Sequence, residues 1–186
     1  EVYGLPEAEG GGQPATVSED QAEEPVSPRR LVVQVWYPAR PPGEGVDPLP
    51  WNTDFEAMQP MISSLLGLPS FMTGHFEGLP AHAYSDVAIL DGSFPVVLGS
   101  HDWLGFRTDA LDQVEAMASH GFIVVVPDHT YVAAAVEFPE DQTVTRADPR
   151  ALPEETAIED PEGYLEAGQE LVEVMADDLA FAVDHR

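Results

Sequence analysis

The chain has 186 residues, enough for one well-filled core and too few for two independent domains. Its 34 acidic residues face 7 basic ones, all arginine, and a net charge of −27 excludes electrostatic binding to nucleic acid or an anionic membrane, because such a surface repels phosphate. With no cysteine there is no disulfide, thiolate metal site or cysteine nucleophile, and no apolar run reaches the roughly 18 residues that a membrane-spanning helix needs.

The acid excess favours solubility and suits a salt-rich setting, where screening relieves self-repulsion. A GC-rich genome that uses arginine for lysine explains the missing lysine but not the acids. The numbering opens on Glu1 rather than methionine, so an initiator or signal segment is expected to have preceded it. Secretion or the cell envelope is favoured over the cytoplasm on this reading.

Residues 1–28 are rich in Gly, Pro and Glu and lack a hydrophobic period, which predicts a flexible acidic arm. The domain proper is expected over 29–186. Its first element is LVVQVWY at 31–37, where alternation places Leu31, Val33, Val35 and Tyr37 on one face and Val32, Gln34 and Trp36 on the other, as in an outer strand. After a Pro/Gly loop, Thr53 and Glu56 have the spacing of a capping box, with Pro60 limiting that turn and Gly67 stopping the next. The segment 53–79 is unusually apolar through Met58, Met61, Ile62, Leu65, Leu66, Leu68, Phe71, Met72 and Phe76. Helical spacing reads these as core, and the sharper reading is a flap that holds an acyl chain or rests on a lipid surface.

The stretch FPVVLGSHDWLGFR at 94–107 reads as strand then loop, with a helix following over 108–120. Thr108 is the expected cap, and Leu111, Val114 and either Met117 or Ala118 face the sheet until Gly121 closes the helix. A second apolar run, FIVVVP at 122–127, completes a βαβ pattern whose two strands should lie parallel and buried on both faces. Ligands of such sheets gather at the carboxyl ends of the strands, where this chain puts Ser100, His101, Asp102 and Trp103, then Asp128, His129 and Tyr131. Residues 132–138 form a possible short strand, and 139–159 an acidic, Pro-rich loop. Asp160 and Pro161 open a last helix with a stripe of Leu165, Val172, Met175, Leu179 and Val183, running to Arg186 without a stop signal as though cut.

With these residues placed, the chain resembles the α/β-hydrolase family, and within it the platelet-activating-factor acetylhydrolase-like esterases and polyester hydrolases. The matching segments are RLVVQVWYPA at 30–39, HAY at 82–84, FPVVLGSH at 94–101, GFR at 105–107, ASHGF at 118–122, Asp128 with His129, and EFP at 137–139. The resemblance implies an α/β class with a partial α/β-hydrolase fold, a mostly parallel sheet with flanking helices, incomplete at the C-terminus. It implies the N-terminal portion of a serine carboxylic-ester hydrolase acting on lipid-like, short-acyl or polyester substrates, with no cofactor and no metal. It makes the backbone N–H of Trp103 an oxyanion donor, with His101, Leu104, Phe106, His129 and Tyr131 around the substrate.

Two departures stand out. The family usually has Gly where this chain has Asp102, whose carboxylate opposes a developing oxyanion unless it turns to solvent or pairs with Arg107. No G-x-S-x-G occurs, so nucleophile, acid and base lie outside these residues and the 186 residues alone are expected to be inactive. His120 and His185 have no Ser–Asp partner pattern, and the spacing of His82, His101, His129 and Asp128 matches no metal-ligand motif. The partners expected are a small ester or lipid substrate, the missing half of the same domain and, peripherally, a lipid surface. The rival class is a non-catalytic acidic α/β module that binds a lipid or protein through residues 58–76, and other α/β-hydrolase chemistry, dienelactone-type or amide, stays open.

Overall fold

A computed structural model describes residues 2–4, 29–40, 42–85, 87–153 and 157–184. Its main sheet has four strands, β1 (Val2–Gly4), β2 (Val32–Trp36), β3 (Val96–Leu98) and β4 (Ile123–Asp128), in the order β1-β2-β4-β3. Only β3 and β4 run parallel, with Val96 opposite Ile123 and Leu98 opposite Val125. β2 is antiparallel to β4, pairing Val32 with Asp128 and Trp36 with Val124, and β1 is antiparallel to β2. The expectation of a mostly parallel sheet is therefore corrected, because only the βαβ crossover enforces parallel pairing and β2 and β1 join from the other side.

Two further expectations change with it. β2 is an interior strand rather than an outer one, since the backbone of Val2–Gly4, from the segment expected to be a flexible arm, covers its far edge. The rest of that arm, 5–28, lies outside the described residues. β3, in turn, is not buried on both faces: it ends the strand order, and Val96 and Leu98 are each 40% exposed.

Helices cover both faces of the sheet. On one side Leu31, Val33 and Val125 pack with Ala182 and Phe181 of α4 (Pro161–Asp184). On the other, Trp36, Val124 and Val126 pack with Val114 and Ala118 of α3 (Leu111–Ser119). The sheet-facing alternative at 117 or 118 is thus Ala118, with Met117 exposed. Thr108 does not cap α3, which starts three residues later with Ala110 at the cap position; Thr108 is buried and accepts a hydrogen bond from Asn52 Nδ2 at 3.3 Å.

The apolar segment is core in its first half and exposed in its second. Phe55, Ala57, Met58 and Ile62 of α1 (Phe55–Leu66) pack with Ala134 and Ala135, while Leu65, Leu66, Phe71 and Met72 are exposed, Phe71 at 85%. Pro60 lies inside α1 without ending it, and Gly67 closes the helix at a φ of 63°. A short helix α2 (Ser70–Thr73) and a 3₁₀ turn (Gly74–Gly78) follow. The possible strand after Tyr131 is β5 (Ala135–Glu137), and it forms a hairpin with β6 (Val144–Arg146), so the segment 139–159 is not all loop.

Asp160 caps α4 as expected, its Oδ1 accepting the Gly163 N–H at 3.0 Å. The buried face of α4 differs from the expected stripe: Leu171, Asp178 and Ala182 turn inward, whereas Leu165 and Val172 are more than 60% exposed. A carboxylate at an inward position hides this face from a search for apolar periodicity.

These elements meet on Arg107, which is 4% exposed. Its guanidinium donates to Asp54 Oδ2 at 2.8 Å and Oδ1 at 2.9 Å, to Gln34 Oε1 on β2 at 3.1 Å, to Thr53 Oγ1 at 2.8 Å and to Asp128 Oδ2 at the end of β4. The backbone N–H of Arg107 donates to Asp128 Oδ1 at 2.6 Å. The Thr53–Glu56 capping box does not form, because Thr53 is engaged with Arg107 and Asp54 and no side chain caps α1. Burial disfavours both charges, yet the mutual contacts outweigh it: Arg107 is raised above the ordinary arginine value and Asp54 held below the usual carboxylate value.

Removing one member of a buried ion cluster costs more than the cluster contributes, since the remaining charges lose their partner. Arg107→Met is expected to lower unfolding free energy by about 3–5 kcal/mol in urea titrations. Adding Asp54→Asn and Asp128→Asn to that variant should recover part of the loss.

Candidate functional site

Between β3 and α3 the chain makes a tight loop whose second half has its backbone N–H groups largely assigned. Gly99 enters it by donating to Val125 O at 2.8 Å, and a β-carbon there would stand 2.8 Å from Val126 Cγ2, so close strand packing requires glycine. Further on, Leu104 N–H donates to Val132 O at 3.1 Å, Gly105 N–H to Asp102 O at 3.0 Å and Phe106 N–H to Asp109 Oδ2 at 2.8 Å. The amides of Asp102 and Trp103 have no hydrogen-bond partner among the described residues. At Gly105 an added β-carbon would stand 2.9 Å from His101 Cβ and would push aside the carboxylates of Asp109 and Asp102.

Leu104 and Tyr131 carry φ angles of 63° and 68°, two of three positive values at non-glycine residues among those described. Such conformations cost free energy and persist only where surroundings impose them. Here the Leu104 amide is tied to the carbonyl of Val132, the residue after Tyr131, so the two strained positions share one bridge. Both side chains are exposed, at 41% and 51%. Phe106 is half-buried and meets Trp51 edge-on at 5.9 Å.

His101 is 7% exposed and His129 fully buried, so little of either ring is open to solvent. His101 Nε2 accepts the His129 backbone N–H at 3.0 Å, which puts the ring proton on Nδ1, where it is donated to Asp102 O at 2.8 Å. Burial holds His101 below the ordinary histidine value, consistent with a neutral ring. His129 Nε2 lies 2.9 Å from Ser100 Oγ, and its Nδ1 lies 2.9 Å from Asp178 Oδ2 on α4. Asp178 also accepts two 2.8 Å bonds from Arg29. Its burial opposes ionisation, but the bonds from His129 and Arg29 win and hold the carboxyl below the usual range.

Asp102 is exposed, the first of the two arrangements that spare an oxyanion its charge, and Arg107 pairs with Asp54 and Asp128 instead of with it. His82 Nδ1 is bound to Glu115 of α3 at 3.0 Å, while the rings of His101 and His129 meet at a tilt of 60° with centroids 4.9 Å apart. A cavity of about 300 Å³ opens elsewhere, between the end of β2, the segment around Tyr84 and α3, and the Trp103 loop does not line it. Free amides and imposed strain coincide in the loop, not at the cavity.

Asp178 and Arg29 are the residues that sequence reasoning missed. The signal for Asp178 was a carboxylate two helical turns after Leu171 and one turn from Met175 and Ala182 on one face, which demands a buried partner.

No family model matches the chain, and no curated protein does. Among solved structures it is similar to the ferulic acid esterase from Streptomyces cinnamoneus, with 28% identity and a TM-score of 0.51. The match covers 64% of this chain and 31% of that one, so the shared part is less than a third of the esterase's length. The mixed α/β arrangement of helices on small sheets agrees with that of an esterase-like neighbour.

Asp109 yields a pH prediction. Burial pushes its carboxyl up to about 6, above the unfolded value near 3.9. The folded state therefore holds this proton more tightly, and the resulting stabilisation is complete below about pH 4 and lost as pH rises through about 6. Asp109→Asn keeps an oxygen for the Phe106 N–H, so its melting temperature should match that of the wild type at about pH 3 and exceed it at about pH 7.5.

Proposed function

We propose that these residues are the N-terminal portion of a serine carboxylic-ester hydrolase, and that they supply its oxyanion loop while the nucleophile comes from polypeptide outside them. The observation that carries this reading is a run of amides over residues 100–103, Trp103 among them, with no partner among the described residues, just past the carboxyl end of a parallel strand. Acyl transfer needs donors aimed where the carbonyl oxygen becomes negative, and a rigid loop with spare N–H groups provides them without reorganisation. The likeness to part of an esterase supports the same class.

Trp103 N–H is the donor in this reading, with Leu104, Phe106 and Tyr131 forming the near wall of an acyl site. The substrates are lipid-like, short-acyl or polyester esters, and no metal or cofactor takes part. The unpaired, apolar edge of β3 suits the continuation of the sheet by the segment that carries the nucleophile. A second reading, a non-catalytic acidic module, draws on the exposed cluster of Leu65, Leu66, Phe71 and Met72, which would contact a lipid or protein partner.

Hydrolysis of p-nitrophenyl butyrate separates the two. The 186-residue chain alone should show no turnover sensitive to serine-directed inhibitors, while the gene product extended by about 150 further residues, the length a complete single domain of this kind requires, should show it. Inhibitor-sensitive turnover by the short chain, or none by the longer one, would overturn the proposal.

A further inference from the structure

Ser100, His129 and Asp178 stand in the order and at the distances of a catalytic relay, with Oγ 2.9 Å from Nε2 and Nδ1 2.9 Å from Oδ2. Their surroundings assign them different work. In a serine relay the imidazole collects a proton, and a free carboxylate behind it stabilises the resulting cation. Here the Asp178 carboxylate already faces the Arg29 guanidinium through two 2.8 Å bonds, which offsets the charge that would support an imidazolium. The His129 ring is fully buried, so although Ser100 is exposed, Nε2 has no open path to a leaving group.

What the trio does is hold His129 in place. Its Nδ1 is fixed by Asp178, its Nε2 by Ser100, and its backbone N–H is spent on His101 Nε2. That last bond decides the tautomer of His101, whose Nδ1–H then draws the Asp102 carbonyl inward. The Asp102 carbonyl and the Trp103 N–H belong to one trans peptide plane and point in opposite directions. Pulling the oxygen inward turns the N–H outward, and the Gly105 N–H, which also donates to Asp102 O, reinforces the pose.

We propose that Asp178 of α4, acting through His129 and His101, is a positioning residue that sets the direction of the Trp103 amide. This rests on the reading of that amide as the oxyanion donor and extends it: the donor's orientation is fixed by a helix on the opposite side of the sheet from α3 and by Arg29 ahead of β2. Ser100 is an anchor of the relay in this assignment, not a nucleophile.

Nuclear magnetic resonance on the ¹⁵N-labelled 186-residue chain tests the relay without any ester, so its failure is separate from failure of the hydrolase reading. In the wild type, His101 should be found as the Nδ1–H tautomer, and the Trp103 amide should exchange as an unbonded one. In Asp178→Ala, His101 should become a mixture of tautomers, the Trp103 amide resonance should shift, and His129 amide exchange should accelerate about tenfold, the loss of roughly one hydrogen bond. Amides of β2 and β4 should stay protected in that variant. Asp178→Asn, whose carbonyl oxygen still accepts from His129 Nδ1, should restore all three signals.

An unchanged Trp103 resonance and His101 tautomer in Asp178→Ala would overturn the proposal. If Asp178→Ala does not fold, the wild type decides alone, since an Nε2–H tautomer at His101 or a protected Trp103 amide overturns it equally. Covalent labelling of Ser100 by a fluorophosphonate would give the trio the catalytic part and overturn it as well.

Discussion

The buried guanidinium of Arg107 is the interaction on which the other features depend. It joins the start of α1 through Asp54, β2 through Gln34 and the end of β4 through Asp128, and its own backbone closes the loop that leaves β3. An isolated ion pair in such a place is weak evidence for stability, because desolvation offsets most of the attraction. Its value here is geometric: planar, forked donors fix several partners in direction as well as distance, which a lysine ammonium does not do. The chain has seven cations for 34 acids, and it commits one of them wholly to this centre.

From that centre the loop's chemistry follows by exclusion. The amides at 104–107 are spent on Val132, Asp102, Asp109 and Asp128, and those of residues 100–103 ahead of them have no partner among the described residues. Strain at Leu104 and Tyr131 accompanies this arrangement, and the residues that impose it are buried, while the residues that bear it are exposed. Under the proposed function, a rigid frame beneath a strained, open rim suits transition-state stabilisation by fixed dipoles, because donors that need not reorganise retain their full effect.

Local pattern made part of this architecture legible. β4 was visible because five apolar residues in succession, followed by Asp128, have few other homes, and α3 with the strands on either side of it followed from the βαβ period. The loop after β3 was recognisable from its own residues. What stayed hidden was set by partners far away in sequence. Thr53 and Glu56 have the spacing of a cap, yet Arg107, more than fifty residues on, claims Thr53 instead. β2 reads as an outer strand because nothing in its own alternation foretells pairing with Val2–Gly4. The inward face of α4 was obscured by Asp178, whose place makes sense only once His129 and Arg29 stand beside it.

The central claim is that Trp103 offers its amide to the negative oxygen of an acyl-transfer intermediate. The most direct test is a structure of the active enzyme containing these residues, with its serine phosphonylated to mimic that intermediate. The Trp103 backbone nitrogen should lie about 2.7–3.1 Å from the phosphonyl oxygen. A phosphonyl oxygen held by other donors, with the Trp103 nitrogen turned away from it, would contradict the claim.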